Sequence, residues 1–590
     1  MLSLSHKKWI VANPSSERVS SLVRELEISP LLAKLMVNRK QETPEQGRFL
    51  IDDDLGSLHD PFLMRGMKAA ADRIVLAVNN KESITVFADY DVDGITSAAL
   101  LVHFFKDLGA PIDWYLPDRL QEGYGLNEQA LSDIRARGAD LVVTADCGIT
   151  AVHEVKAAQA MGLDVIVTDH HQVGEAGLPE AVAVLNPHQP DCRYPFRFLS
   201  GVGIIFKLVT AVRTALFRAG WEKSRLPNLK QYLDLCALGT IVDVAPLTGE
   251  NHVLTSHGLE EIAATRKPGL AALKAVSGLD GAIDTRAVGF GLGPRLNAAG
   301  RLGKADAGLH LLTSSKLNEA MELAKTLDNV NRERQKIQRN TKDDAEYQME
   351  KSFDPDKDRV IVLASEQFHR GVVGIVAARL VDIHHRPAIL IALKDGMGQG
   401  SGRSIPKFNL YKALNECSAF FKQFGGHAYA AGLSMEENKI DSFRKTINEI
   451  GHRVLAEEHL IPELAVETTL NLDEVTFDRY RELQLLSPFG TGNPSPVFYS
   501  ERVAVRGIRF IGAQGRTVRF KAVQGETSQD VIAFGMRDIF QNAVSEGDEM
   551  DLAYEICIND WGGREKLELH LVDARRHRHA GKNESQSGGG

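Results

Sequence analysis

Residues 84–94 read ITVFADYDVDG, and the fold turns on how that stretch is taken. ITVFA is a short apolar run with β-branched and aromatic residues, which predicts a buried strand. Three alternating aspartates, Asp89, Asp91 and Asp93, follow it and precede Gly94. A calcium-binding EF-hand loop begins the same way, but it needs a helix before it and a glutamate at its twelfth position. Counted from Asp89, the twelfth residue is Leu100, and a strand comes before the loop, so the calcium reading fails twice. The other reading is a strand that delivers acids to a crevice at its carboxyl end, where open parallel sheets build their sites.

The design repeats downstream. ADLVVTADCG and LDVIVTDHH are further strands, with helical AVHEVKAAQAMG between them, and GITSAALLVHFFKDLG is a helix after the first strand. Strands alternating with helices imply a parallel sheet covered on both faces. Asp146 then follows LVVTA, the triplet Asp169, His170 and His171 follows VIVT, and Asp243 ends the apolar run in LGTIVDVAPL. A single Asp in such a place more simply caps the next helix; the whole set does not reduce to caps. Carboxylates so close would raise one another's pKa unless cations neutralised them. Two divalent ions roughly 3.5–4 Å apart would do so and would clamp both oxygens of a displacement at phosphorus. Imidazole among oxygen ligands tilts the choice towards Mn²⁺ and leaves Mg²⁺ open.

The chain is too long, at 590 residues, for one core. With 43% hydrophobic and 25% charged residues it is neither disordered nor fibrous. No apolar run approaches the length of a membrane span, and the N-terminus lacks a signal-peptide core, so a cytoplasmic protein without a membrane partner is expected. The five cysteines are scattered with no CxxC, which fits a reducing compartment and argues against a structural zinc site. The net charge of −9 means that a nucleic-acid partner needs a local basic groove or bound cations. Residues 1–80 are expected to be helical and 81–315 to form the parallel-sheet domain. A long polar helix over 316–352 leads to a second α/β unit at 353–460. Short alternating segments at 461–578, with the linker that enters them, read as a β-barrel, and 579–590 as a disordered tail.

At the quoted residues the chain resembles the DHH phosphoesterase superfamily and, within it, the bacterial exonucleases specific for single-stranded DNA. DYDVDG, ADCG, DHH and GTIVDVAPL match four ordered motifs, and GFGLGPRLNAAGRLG (289–303) a further segment. FHRGVVGIVAARL, GSGRS and FGGHAYAAGLSM resemble the associated DHHA1 domain, and PFGTGNPSPVF the entry to an OB-fold barrel. The resemblance implies a processive 5′→3′ exonuclease that releases 5′-mononucleotides with two Mn²⁺ or Mg²⁺ ions. It implies metal ligands at Asp91, Asp93, Asp146, His170 and Asp243, with Asp146 between the ions and His171 beside the scissile phosphate. Asp89 is either a ligand or a support for one. Phe87 stands where some relatives carry a histidine ligand.

Polarity calls for a site that recognises the 5′ end. In GQGSGRSIP the small residues would bare backbone amides, and Ser401, Arg403 and Ser404 would hold a phosphate, aided by Arg301 and His427. A plain Gly/Ser turn is the simpler reading of GSGRS by itself. In the barrel, Arg502, Arg506, Arg509, Arg516, Arg519 and Lys521, with Phe510 and Phe520 interleaved, suit a single strand of nucleic acid. Trp561 could stack on a base. The resemblance further implies single-strand-binding protein and a RecQ-type helicase as partners, in recombination, repair and mismatch repair; a monomer is the default. Two rivals are a phosphoesterase for short oligonucleotides or cyclic dinucleotides, and a DNA-binding DHH protein without catalysis.

Overall fold

The computed structural model describes every residue except 1, 118–124, 302–305, 560–564 and 578–590. Trp561 and the tail at 579–590 lie outside the described residues. A short strand, β1 (Lys8–Val11), precedes the first large sheet. That sheet contains β2 (Ile84–Ala88), β3 (Ile112–Tyr115), β4 (Leu141–Ala145), β5 (Asp164–Thr168) and β6 (Ala183–Leu185). The order is β3-β2-β4-β5-β6, parallel throughout. Ile84, Val86 and Ala88 join Val143 and Ala145 in one core, while Phe87 joins Val142, Val165 and Val167 in another. Alternation along buried strands thus supplies a core on each face. The loops that leave β2, β4 and β5 all open at the same end.

The polar stretch expected as a spacer is a helix of 36 residues, Leu317–Ser352, about 54 Å long. Its first half buries Ala320, Ala324 and Leu327 in the first lobe, and its second half buries Ala345 and Met349 in the next. The second lobe holds β7 (Ile361–Ser365), β8 (Ala388–Lys394), β9 (Met397–Arg403), β10 (Phe421–Gly426) and β11 (Ala430–Glu436). They run in the order β10-β11-β9-β8-β7, with β7 and β8 parallel and the other pairs antiparallel.

After β12 (Glu463–Val466) and β13 (Thr468–Thr469) comes a barrel of β14 (Phe498–Ile511), β15 (Thr517–Gln524), β16 (Thr527–Ala533), β17 (Glu549–Asn559) and β18 (Lys566–Arg576). The order β14-β15-β16-β18-β17 closes back on β14, and closure of this kind removes the open sheet edges that could pair with another chain. The N-terminal residues serve two cores. Leu22, Leu35 and Leu50 share a core with Phe498, Val518 and Tyr554 of the barrel, whereas the helix Met67–Asn80 packs on the first sheet. β1 pairs with β12, and Trp9 Nε1 donates to Asp573 Oδ2 of the barrel at 2.9 Å. Among the described residues no helix is long and apolar enough to cross a membrane.

Candidate metal centre

The acidic stretch after β2 is one wall of the site. Asp89 is buried, and its N–H still donates to Ala145 O at 3.1 Å, so the sheet holds it in place. Asp91 caps the helix Val92–Leu108 by accepting from Gly94 N at 3.1 Å. Capping leaves Asp91 within a possible donor set with Asp89 and Asp146. Gly94 is required by space, because a Cβ there would lie 2.3 Å from Asp89 O. Asp93, in the first turn, is buried and accepts from Gly201 N at 2.6 Å and Val202 N at 2.8 Å. Those amides open the helix Gly201–Arg218, whose N-terminus favours negative charge. Sequence reasoning had no signal for this support, since it comes from a helix over a hundred residues downstream.

The other walls are loop and helix ends. Asp146 follows β4, fully buried, with φ of 63° in the left-handed region. His170 and His171 follow β5 with their rings 4.5 Å apart. Asp243 caps the end of the helix Leu233–Val242; the apolar run before it is a buried helix. Three sets of donor atoms each lie within 4.8 Å of one another: Asp89, Asp91 and Asp146; Asp146, His170 and His171; Asp93, His170 and Asp243. Asp146 joins the first two sets and His170 the last two.

Electrostatically the cluster is short of positive charge. Burial, then Asp91, pushes Asp93 up to about 7. Burial, then Asp93 and Asp91, pushes Asp243 up to about 9. Asp146 stands well above the usual carboxylate range, through burial and then Asp93, Asp91 and Asp89. His170 falls to about 4, chiefly by burial and then by its neighbour His171. Neutral imidazole is the form that binds metals. His170 Nε2 lies 3.0 Å from Asp146 Oδ1 and 3.8 Å from Asp93 Oδ2 and Asp243 Oδ2, yet hydrogen-bonds to none of them. A buried nitrogen facing three carboxylates without a bond fits a cation lying among them.

His171 is held differently. Its Nδ1 lies 2.7 Å from Asp169 Oδ1, and its N–H donates to the same oxygen at 3.0 Å. Burial alone would lower its pKa, but the bond to Asp169 outweighs that and holds it at about 9. Asp169 also accepts from Ile149 N at 2.9 Å. It is thus the anchor of His171, a role that the DHH spelling does not reveal.

A cavity of about 740 Å³ opens on Asp89, Asp91, Asp169 and His171, and Gly426 and His427 reach into it from the second lobe. A second cavity, of about 520 Å³, lies on the second lobe, lined by Arg370, Gln399, Ser401, Arg403, Gln423 and Ser434. Here the structure corrects the expectation of a turn with bare amides. GQGSGR is the interior strand β9, paired with β8 on one side and β11 on the other, so the sheet ladders take up its amides. Its glycines face packed neighbours: a Cβ at Gly400 would come 2.9 Å from Leu433 Cδ1, and one at Gly402 2.8 Å from Leu410 Cδ2. Gln399, Ser401 and Arg403 alternate to the other face. Arg403 Nη1 donates to Ser401 Oγ at 3.1 Å and to Gly402 O at 2.8 Å. Ser404 Oγ donates to Phe408 O at 2.6 Å and does not line the cavity. Arg301 ends the helix Gly293–Arg301, and its side chain lies outside the described residues. Arg370, from FHRGVVG, and Gln423 are cavity residues that composition alone could not single out.

In the barrel, Arg506 stands opposite Lys521 and Arg509 opposite Arg519, on either side of a bulge in β14. Arg519 lies 3.9 Å from Asp530. Arg502 is exposed at a left-handed turn of the same strand, φ 54°. Phe510 is exposed under Arg537, 5.7 Å from its ring, whereas Phe520 is core.

Residues 83–240 match the family described as "DHH family, N-terminal domain", residues 357–452 the DHHA1 domain and residues 466–573 the RecJ OB domain. The single-stranded-DNA-specific exonuclease RecJ of Bacillus subtilis (strain 168) is 40% identical over 575 residues, 97% of this chain and 71% of that protein. The protein of the same name from Escherichia coli (strain K12) is 35% identical, over 93% of this chain and 96% of its own. The crystal structure of RecJ in complex with Mn²⁺ from Thermus thermophilus has a TM-score of 0.81 to this chain at 30% identity, covering 97% of this chain and 80% of that one.

Proposed function

This chain belongs to the RecJ family of single-stranded-DNA-specific exonucleases, and on that premise we propose that it digests single strands processively from the 5′ end to 5′-mononucleotides, using two divalent ions, Mn²⁺ or Mg²⁺. The observation that carries the reading is the cluster itself: buried acids that raise one another's pKa, with a neutral imidazole facing three of them. Asp89, Asp91, Asp93, Asp146, His170 and Asp243 would hold the ions, with Asp146 between them. When bound, the ions supply Lewis-acid activation of the attacking water and neutralise charge gathering on the phosphodiester.

The chain's own residues do the rest. His171, its ring oriented by Asp169, contacts the scissile phosphate from the mouth of the cavity. Arg403 and Ser401, with Arg370 across the cavity, take the 5′-phosphate by charge-assisted bonds. Ser404 shapes that strand end through Phe408, and His427 contributes from the rim between the lobes; Arg301 is carried as a further phosphate contact on the resemblance alone. The barrel tracks the rest of the strand. Like charges opposed across strands destabilise a sheet, and a polyanion laid over Arg506, Lys521, Arg509 and Arg519 relieves that repulsion. Arg502 and Phe510 flank the same surface. The setting is recombination, repair and mismatch repair in the cytoplasm, as a monomer working with single-strand-binding protein and a RecQ-type helicase.

One digestion tests this. A single strand labelled at either end is incubated with Mn²⁺, Mg²⁺ or chelator. Mononucleotides released from the 5′ label first, and only with metal, are expected. Release from the 3′ label first, or release in chelator, would refute the reading.

A further inference from the structure

Residues Ala287–Leu292 form a single π-helical turn, and the helix Gly293–Arg301 follows at once. Such turns gather at functional sites. This one is firmly seated. Val288 and Leu292 are fully buried. A Cβ at Gly293 would come 2.5 Å from Val242 Cγ2, so the turn lies flush against the end of the helix that Asp243 caps. Arg295 Nη1 donates to Gly291 O at 2.6 Å, and Arg295 Nε is fixed on Asp328 at 2.9 Å.

The same segment bridges two regions. Towards the barrel, Thr285 Oγ1 donates to Phe489 O at 2.7 Å, and Arg286 lies within electrostatic reach of Glu555 and Cys557 on β17. Towards the metal centre, a Cβ at Gly300 would come 2.9 Å from Tyr90 O, between Asp89 and Asp91. Val244, directly after Asp243, is 63% exposed with φ of 63°, a strained setting for a β-branched residue. The segment thus lies against the loop of the metal centre at one end and against the barrel and its entry at the other.

In that seat Phe290 is 81% exposed, the most of any large hydrophobic residue among those described. A lone exposed phenylalanine is ordinary; one flanked by Gly289 and Gly291, on a pinned π turn between the metal centre and the barrel, is placed for a ligand. Resting on the exonuclease reading, we propose that Phe290 is a stacking platform for a base of the substrate strand on the 3′ side of the scissile linkage. Every base has a π face, so such a platform grips a single strand without reading its sequence. It would also keep the strand from sliding back between successive cleavages.

The test compares the full-length wild type with Phe290→Ala, Phe290→Trp and, as a control, Phe217→Ala, an exposed phenylalanine on the helix Gly201–Arg218. Phe290→Ala is expected to raise KM on a long single strand about tenfold more than on a dinucleotide too short to reach it, and Phe290→Trp to restore KM. Separately, 2-aminopurine is scanned along a long strand bound in chelator. Quenching is expected at one position in the wild type, lost in Phe290→Ala and kept in Phe290→Trp. Equal KM and equal quenching in wild type and Phe290→Ala overturn the platform while leaving the exonuclease reading intact. Position-specific quenching in a wild type that digests nothing overturns the exonuclease reading and leaves the platform standing.

Discussion

The two lobes place their polar groups in opposite ways. In the first, the acids and imidazoles stand on loops and helix ends beyond the sheet, where burial and then neighbouring carboxylates push Asp93, Asp146 and Asp243 up in pKa. In the second, Ser401 and Arg403 stand within an interior strand, and Arg403 is already bonded to Ser401 and to a backbone carbonyl. The first arrangement is incomplete without cations; the second is satisfied as it stands and offers its charge to whatever enters the cavity. On the proposed reading, the difference separates chemistry from recognition: the lobe under electrostatic strain would activate, and the relaxed lobe would hold an end.

Removing Asp146 should break that contrast hardest. Asp146→Ala is expected to lower hydrolysis by about a thousandfold or more, while binding of a 5′-phosphorylated strand persists. Metal-free Asp146→Ala should melt no lower than metal-free wild type, because one buried like charge has gone, yet Mn²⁺ should raise its melting temperature much less. A scanning-calorimetry series with and without Mn²⁺ reads both. An equal Mn²⁺ shift in the variant would contradict a charge-deficient cluster.

Arg403→Ala acts on the other lobe. It should reduce the preference for 5′-phosphorylated over 5′-hydroxyl ends by about tenfold to a hundredfold, the worth of a charge-assisted hydrogen bond, and leave the Mn²⁺ shift alone. Competition kinetics with the two kinds of end measures it; equal loss on both would remove the assignment. In the barrel, Arg506→Glu with Lys521→Glu should weaken strand binding several-fold and flatten its salt dependence by about one to two released counterions. An unchanged salt slope would take that face off the strand's path. The smallest effect is structural: Gly400→Ala, crowding Leu433 and Ile391, should destabilise the second lobe by about 1–3 kcal/mol with the Mn²⁺ shift retained, as read by chemical denaturation.

How legible each lobe was in the sequence follows from the same contrast. Strand ends announce themselves, since an apolar run breaks off at an acid, and Asp89, Asp146 and the triplet from Asp169 to His171 were found that way. Asp243 ended an apolar run too, but the run is a helix buried on all sides, so its period carried no signal. GSGRS misled because glycine suggests a turn, whereas here glycines serve close packing on one face of a strand. In the barrel, period-two reading works once the strand is known: Val518, Phe520 and Ala522 face in, Arg519 and Lys521 out. The sharing of a core between the N-terminal helices and the barrel, and the amides of Gly201 and Val202 on Asp93, rest on contacts far apart in sequence. No local pattern encodes them.

The central claim is that folding gathers these acids and imidazoles into a trap for a pair of cations. Crystals soaked in manganese and measured at its absorption edge test it most directly. Two anomalous peaks are predicted among Asp89, Asp91, Asp93, Asp146, His170 and Asp243, with Asp146 touching both. A map with no peak there would contradict the account.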